Sequence, residues 1–166
     1  MKKLFLVRHA KSSWSNPDLG DIERPLNKRG KRDAPFMGKV LNENNINPDL
    51  IISSPAERAF VTAKTVAEQI NYPLEKIQII DRLYHGGFKD LLVTIKGTDS
   101  SINTLMLFGH NPGLTELSNY ISNQHIENIP TTGIVGIDLR VNNWNELDED
   151  SGTFVDFEFP KKFFKK

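Results

Sequence analysis

Residues 4–9 have the sequence Leu-Phe-Leu-Val-Arg-His, a short apolar run that ends in two polar side chains. An apolar run without alternation is typical of a strand buried on both faces, as in a parallel sheet. Ligands of such sheets bind just beyond the carboxyl ends of the strands. Arg8 and His9 therefore lie where a parallel sheet would hold a ligand.

Strand and helix patterns alternate along the rest of the chain, which predicts an α/β fold with a mostly parallel sheet and helices on both faces. The 166 residues fit one domain, so we expect a single domain over residues 1–166. The predicted strands are 4–7, 50–52, 77–80, 105–108, 133–141 and 153–159, and the predicted helices are 26–44, 56–70, 88–95 and 112–121.

The composition excludes several classes of function. The chain has no cysteine, which rules out disulfides, thiolate zinc sites and cysteine nucleophiles. Lys plus Arg equals Asp plus Glu at 21 each, so we expect neither nucleic acid nor a membrane surface as a partner.

The apolar run before Arg8 is too short for a signal peptide, and no run reaches the roughly 20 residues of a membrane span. We expect a cytoplasmic monomer whose last residues, FPKKFFKK, form a frayed or packed tail.

Three predicted strand ends carry polar residues suited to a phosphoryl group. Arg8 and His9 follow the first strand, Arg58 comes shortly after the second, and His110 follows the strand at 105–108. The two guanidinium groups can offer forked donors to phosphoryl oxygens, and His110 can add another donor. A helix that begins near Pro112 would direct free N–H groups to the same place.

These assignments leave His9 as the nucleophile. Neighbouring guanidinium charges disfavour the imidazolium form, so His9 would stay neutral and could form a covalent phosphohistidine. Each residue alone also fits an ordinary surface or capping role, but their combination at three strand ends favours a functional site. A metal site built from His9, His110 and a carboxylate is an alternative, although the spacing matches no standard ligand motif and Arg8 would repel a cation.

The motifs around these residues resemble those of the histidine phosphatase superfamily, the phosphoglycerate-mutase-like proteins. The family signature resembles LFLVRHAKSSW. The family block that supplies Arg58 resembles SSPAERAFVTA, and the block that supplies His110 resembles FGHNPGLTEL. The SixA-like branch of phosphohistidine phosphatases is matched by SSWSNPDLGDIERPLNKRG, with its Asp21, Arg24, Pro25, Leu26, Arg29 and Gly30, and by PTTGIVGIDL.

The resemblance implies a three-layer α/β/α sandwich around a mixed, mainly parallel sheet. It implies that His9 is the phosphorylated nucleophile and that Arg8, Arg58 and His110 form the phosphate pocket. It also implies that neither a metal nor an organic cofactor is required.

Two departures from the family pattern bear on the substrate. Many larger members have an Asn after the signature Trp, where this chain has Ser15 followed by Asn16, and we take both as candidate substrate-binding residues. Mutase and esterase branches place a Glu proton donor after the third strand, but the stretch IIDRLYHGG contains none. The donors available in that stretch are Asp81, Tyr84 and His85.

The missing Glu favours phosphohistidine as the substrate. An alkoxide leaving group needs a proton from a placed acid, whereas an imidazole can be protonated on its other nitrogen and departs readily. The leading interpretation is a phosphatase acting on protein phosphohistidine. The alternatives are a phosphomonoesterase for a small phosphorylated substrate and a non-catalytic phosphate-binding module.

Overall fold

The first strand, β1 (Lys2–Arg8), lies inside a six-stranded sheet in the computed structural model, which describes residues 1–164. The strands occur in the order β3-β2-β4-β1-β5-β6. The remaining strands are β2 (Leu50–Ser53), β3 (Gln78–Ile79), β4 (Thr104–Gly109), β5 (Ile134–Leu139) and β6 (Gly152–Glu158).

Strand direction divides the sheet into two parts. β3, β2, β4 and β1 pair in parallel, whereas β5 pairs antiparallel with both β1 and β6. The sheet is therefore mixed and mainly parallel, as predicted.

Helices cover both faces of the sheet because its central strands are apolar on both sides. Leu4 and Leu6 of β1 belong to one buried cluster, which also contains residues of α4 (Phe88–Lys96) and α5 (Gly113–Ile121). Phe5 and Val7 point to the opposite face. They pack there with residues of α1 (Lys28–Glu43) and α2 (Glu57–Gln69), which confirms the three-layer α/β/α architecture.

The sequence predicted the long elements well and the region after β3 less well. Asn27 is the N-cap of α1, and its side chain accepts a hydrogen bond from the Gly30 N–H at 2.9 Å. The strand predicted at 77–80 is shorter in the structure, where it spans Gln78–Ile79 and pairs with β2 at the edge of the sheet. A single helical turn, α3 (Arg82–His85), follows it and is too short to produce a recognisable periodicity.

The C-terminal segment is packed rather than frayed as far as the structure describes it. A short 3₁₀ helix spans Pro160–Lys162, and the rings of Phe163 and Phe164 contact Phe36 of α1 with centroid separations of 5.4 and 4.6 Å. Lys165 and Lys166 lie outside the described residues. Within residues 1–164, no helix combines the length and apolar character needed to cross a membrane.

Candidate active site

The carboxyl ends of β1, β2 and β4 meet at one edge of the sheet. Arg8 lies opposite Gly109 in the register of β1 and β4, and Ser53 lies opposite Phe108 in the register of β2 and β4. The residues that follow these strands are therefore neighbours, although they are far apart in the sequence.

A cavity of about 500 Å³ opens at this edge, and we call it the strand-end cavity. All four residues predicted for the phosphate site line it. The full lining consists of Arg8, His9, Lys11, Ser12, Trp14, Asp21, Arg24, Arg58, Tyr84, His85, His110, Asn111 and Thr131.

His9 is buried and oriented by the backbone. Its Nδ1 lies 2.8 Å from the Ala10 carbonyl oxygen, which can only accept, so Nδ1 carries the proton and Nε2 keeps its lone pair. Burial, opposed by this hydrogen bond, lowers the pKa of His9 to about 3, and the charges of His110, Arg58 and Arg8 act in the same direction as burial. His9 is therefore a neutral imidazole at physiological pH.

The loop that carries His9 is fixed from two sides. The Ala10 N–H donates to the Thr62 hydroxyl at 3.0 Å, and that hydroxyl donates to the Arg58 carbonyl oxygen at 2.7 Å. On the other side, the Thr132 N–H contacts the carbonyl oxygens of Arg8 and His9, both at 3.1 Å. These contacts position His9 before any substrate binds.

His110 lies beside His9, with ring centroids 5.1 Å apart. Its Nε2 forms a hydrogen bond of 2.8 Å with the Ser54 hydroxyl, at the end of β2. Burial and the charge of Arg58 lower the pKa of His110 to about 4. His110 is thus also neutral near pH 7.

The start of α5 differs from the prediction that its N–H groups are free. The Leu114 N–H donates to the His110 carbonyl oxygen at 3.1 Å, and the Thr115 N–H donates to Asn111 Oδ1 at 3.1 Å. The side chain of Asn111, the residue before the N-cap Pro112, thus satisfies one N–H of the first turn, since an unsatisfied helix terminus is costly. These two N–H groups therefore orient the His110 loop instead of facing the cavity.

Arg8, which is partly buried, and Arg58, which is buried, supply positive charge to the cavity. The Nη1 of Arg8 donates to the Ile129 carbonyl oxygen at 3.0 Å, and burial lowers the pKa of Arg8. Among residues 1–164, the Nε–H groups of both arginines are buried without a hydrogen-bond partner. Each unsatisfied donor lowers the stability of the fold by about 1–3 kcal/mol. Proteins retain such unfavourable local features mainly at functional sites.

Asp21 is a site residue that was not assigned a role from the sequence. Its carboxylate accepts hydrogen bonds from the Tyr84 hydroxyl at 2.6 Å, from Arg58 Nη2 at 3.0 Å and from Arg24 Nε at 3.0 Å. The hydrogen bond from Tyr84, followed by those from Arg58 and Arg24, holds the pKa of Asp21 well below its usual range. The signal in the sequence was the pair Asp21 and Arg24 within the SixA-like motif.

Arg24 connects the cavity wall to an exposed aromatic ring. It is buried, and its Nη1 donates to the Ser12 hydroxyl at 2.8 Å. The guanidinium carbon lies 3.5 Å from the ring centroid of Trp14, which is 74% exposed. Trp14 thus stands at the mouth of the cavity with one face on Arg24.

The structure brings only some of the secondary candidates to the cavity. Tyr84 and His85 line it, but Asp81, which precedes α3, does not. Ser15 and Asn16 also lie outside the lining: Ser15 contacts the Ser13 hydroxyl at 2.8 Å, and Asn16 accepts from the Asp18 N–H. Within the described part of the chain, no group of three His, Asp or Glu side chains is arranged to hold a metal ion.

The strand-end cavity combines a neutral imidazole with a surplus of positive charge. Nε2 of His9 has an available lone pair, and the guanidinium groups of Arg8, Arg24 and Arg58 lie around it with one carboxylate, Asp21. Such a site can bind a phosphoryl dianion and attack it at phosphorus.

The sequence model of one protein family, the histidine phosphatase superfamily (branch 1), matches residues 4–94. This segment supplies Arg8, His9 and Arg58. The chain belongs to the histidine phosphatase superfamily. Phosphatase relatives within the family place it among the phosphatase hydrolases.

Three known proteins are similar to this chain over different shares of its length. An uncharacterised chloroplastic protein of Arabidopsis thaliana is 32% identical over 159 residues, which cover 91% of this chain and 72% of that one. Phosphoserine phosphatase 1 of Hydrogenobacter thermophilus is 38% identical over 96 residues, which cover 56% of this chain and 44% of the relative. A protein of Agrobacterium tumefaciens assigned as the phosphohistidine phosphatase SixA has a TM-score of 0.81 at 27% identity, and the match covers 96% of this chain and 98% of that one.

Proposed function

We propose that this histidine phosphatase removes the phosphoryl group from protein phosphohistidine, through a covalent phosphohistidine on His9. The observation that carries the nucleophile assignment is the hydrogen bond from His9 Nδ1 to the Ala10 carbonyl oxygen. It leaves the lone pair on Nε2 in a cavity lined by Arg8, Arg58 and His110.

The reaction proceeds in two displacements. His9 Nε2 attacks phosphorus, an N–P bond forms, and the bond to the substrate nitrogen breaks. The electron pair of the broken bond stays on the substrate imidazole, which leaves as a neutral ring because its other nitrogen carries a proton. Water then attacks the phosphoryl group on His9 and the N–P bond breaks. Its electron pair returns to Nε2, the protons of water leave with inorganic phosphate, and His9 is again a neutral imidazole protonated on Nδ1. Arg8, Arg58 and His110 stabilise the charge that is spread over the phosphoryl oxygens in both transition states.

The electrostatics of the cavity support a nitrogen leaving group. Asp21 is the one carboxyl group among the described residues that line the cavity, and its lowered pKa keeps it ionised at neutral pH. An ionised carboxylate cannot protonate a departing alkoxide, whereas an imidazole departs without a placed acid. The structural similarity to the SixA protein of Agrobacterium tumefaciens supports the same substrate class.

The test compares a phosphohistidine peptide with an O-phosphoserine peptide of the same sequence, each in the presence of a chelator. We expect faster release of phosphate from phosphohistidine, and we expect loss of turnover in His9→Ala. Comparable kcat/KM values for the two peptides would contradict the substrate assignment. Turnover that persists in His9→Ala would exclude His9 as nucleophile, and turnover abolished by the chelator would favour a metal site.

A small-molecule phosphomonoesterase is the second candidate, and the similarity to phosphoserine phosphatase 1 favours it. In that case free phosphoserine or another small phosphoester would be the better substrate in the same assay. Stoichiometric retention of phosphate without turnover would instead indicate a phosphate-binding module.

A further inference from the structure

A second cleft, of about 710 Å³, opens beside the strand-end cavity. Arg8, Lys11 and Thr131 line both spaces, so the two are continuous. The Nη2 of Arg29 in the first turn of α1 donates to the Thr131 hydroxyl at 3.1 Å, so this cleft residue contacts a residue that lines both spaces.

We call this space the basic cleft because cations dominate its lining, contributed by Arg8, Lys11, Arg29, Arg32 and Lys161. Asp33 is the one acidic side chain among the described residues that line it. Asp33 is 2% exposed and is shared between Arg32 Nε at 2.9 Å and Arg29 Nε at 3.8 Å. One carboxylate therefore faces several cations, and the cleft has a clear excess of positive charge.

Four of the five cations of the basic cleft are exposed to solvent, and Arg8 is partly buried. The side chains of Arg29 and Arg32 are about half exposed, at 49% and 54%, and Lys11 and Lys161 are also exposed. They come from three separate parts of the chain: the loop after β1, the first turns of α1 and the C-terminal segment. This spread along the surface suits an extended anionic partner better than a single small anion.

The C-terminal segment gives the basic cleft an apolar wall. Phe159, Pro160 and Phe164 line it, and Phe164 is held between Phe36 and the guanidinium of Arg32, which lies 4.4 Å from the Phe164 ring centroid. A partner segment could therefore set its charged groups on the cations and its aliphatic stems on these rings.

We propose that the basic cleft binds an acidic segment of the phosphorylated protein whose phosphohistidine enters the strand-end cavity. This inference rests on the proposed function, and it adds the chemistry by which the partner is recognised. Clefts lined by one sign of charge raise the local concentration of an oppositely charged partner and speed its association, and salt screens the effect. The neutral net charge of the whole chain hides this local excess.

The test uses two synthetic phosphohistidine peptides of equal length, one flanked on both sides by glutamates and the other by glutamines. We expect kcat/KM to be at least about tenfold higher for the glutamate peptide at low ionic strength and the preference to vanish at high salt. Hydrolysis of p-nitrophenyl phosphate, which reports on the strand-end cavity alone, is the reference for each variant.

The variant is Arg29→Gln combined with Lys161→Gln, and the matched control is Lys31→Gln combined with Lys39→Gln. Lys31 and Lys39 are exposed on α1 and lie outside both linings. We expect the cleft variant to lose the preference for the glutamate peptide and the control to keep it. Equal kcat/KM for the two peptides in the wild type would overturn the cleft proposal and leave the proposed function intact.

A binding measurement separates failure of the cleft from failure of the proposed function. If neither peptide is hydrolysed while p-nitrophenyl phosphate is, the proposed substrate is wrong, and fluorescence anisotropy of a labelled, unphosphorylated glutamate peptide decides the cleft. Binding that weakens only in the cleft variant supports the proposal, and equal binding by both variants overturns it. A third outcome is that pyrophosphate inhibits the wild type but not the cleft variant, while the wild type does not discriminate between the two peptides. This outcome would assign the cleft to a small anion and would also overturn the proposal.

Discussion

The chemistry of His9 depends on which ring nitrogen carries the proton and on the pH at which a second proton binds. The Ala10 carbonyl oxygen fixes the proton on Nδ1, because this oxygen can only accept a hydrogen bond from an N–H there. Burial shifts the binding of a second proton to acidic pH, because it lowers the pKa of His9 to about 3. It also lowers the pKa of His110 to about 4. Both rings should remain neutral well below the ordinary pKa of about 6.5.

We predict that the ring resonances of His9 and His110 do not titrate between pH 8 and about 5. A histidine whose pKa is lowered gains its proton only at a more acidic pH, so neutral ring shifts should persist as the pH falls. An NMR titration of the imidazole resonances, assigned with His9→Ala and His110→Ala, measures this directly. A midpoint near 6.5 for His9 would contradict the prediction.

A proton donor for poorer leaving groups must come from the residues of the strand-end cavity. Asp21 is ionised, and the Tyr84 hydroxyl, whose pKa is raised by its hydrogen bond to Asp21, already donates to that carboxylate. His85 lines the cavity with its ring 4.3 Å from that of Tyr84 and is the remaining candidate. Asp81 lies outside the lining.

We therefore predict that His85→Ala lowers kcat for the O-phosphoserine peptide by at least about tenfold and changes kcat for the phosphohistidine peptide little. The reason is that only the alkoxide requires a proton from the enzyme as it leaves. Steady-state kinetics on both peptides measure the difference, with His125→Ala, outside the strand-end cavity, as the control. Equal losses on the two substrates would exclude His85 as a selective acid.

Arg8, His9, Arg58 and His110 could be predicted to share a site because each lies at the end of a strand or shortly after it. The topology of a parallel sheet alone brings such ends together. Asp21 could not be placed in the same way. It lies in a long loop whose position depends on tertiary contacts with Arg58 and Tyr84. Ser15 and Asn16, chosen for their nearness to the signature, turn away because the loop forms its own local hydrogen bonds.

At the scale of secondary structure, the first turn of α1 packs directly on the loop that follows His9. The Asn27 N–H donates to the Lys11 carbonyl oxygen at 2.9 Å, and a Cβ at Gly30 would overlap that same oxygen. Glycine at position 30 is what permits this close approach. The helix thereby supports a loop that lines both the strand-end cavity and the basic cleft.

We predict that Gly30→Ala destabilises the fold by about 1–3 kcal/mol, because the added methyl group must push the backbone of Lys11 aside. The displaced loop should also lower kcat/KM. Urea unfolding and steady-state kinetics measure the two effects. The control is Gly97→Ala at the end of α4, where the nearest atom to a new Cβ is 3.5 Å away and the fold should be equally or slightly more stable. Similar stability of the two variants would show that the contact at Gly30 is not tight.

The elements that the sequence predicted are those whose apolar pattern is long enough to read. β1 and β4 each place successive residues on opposite faces of the sheet, with Leu4 and Leu105 in one buried cluster and Phe5 and Met106 in the other. β3 and α3 are too short for such a pattern, and their positions depend on pairing with β2 and on the packing of Leu83 in the core. Local sequence cannot encode those contacts.

The sheet in the described residues 1–164 has two edges, β3 and β6, and they differ in how well they are protected from pairing with another chain. β3 is only two residues long, so it offers little backbone to a partner. β6 has seven residues and carries Asp156 and Glu158, whose charges oppose the approach of a second copy. We propose on this basis that the protein is a monomer.

We predict that the protein sediments at the mass of one chain and that Asp156→Val promotes a dimer. The substitution places a second valine beside the exposed Val155, so the edge strand becomes more apolar and richer in β-branched residues. It also removes a negative charge that would face the same charge of a second copy in an antiparallel pair. Sedimentation velocity over a range of concentrations measures the association. Glu149→Val, an equal loss of charge in the turn before β6, is the control and should remain monomeric. Association of the wild type, or of both variants alike, would show that the charge on β6 does not determine the oligomeric state.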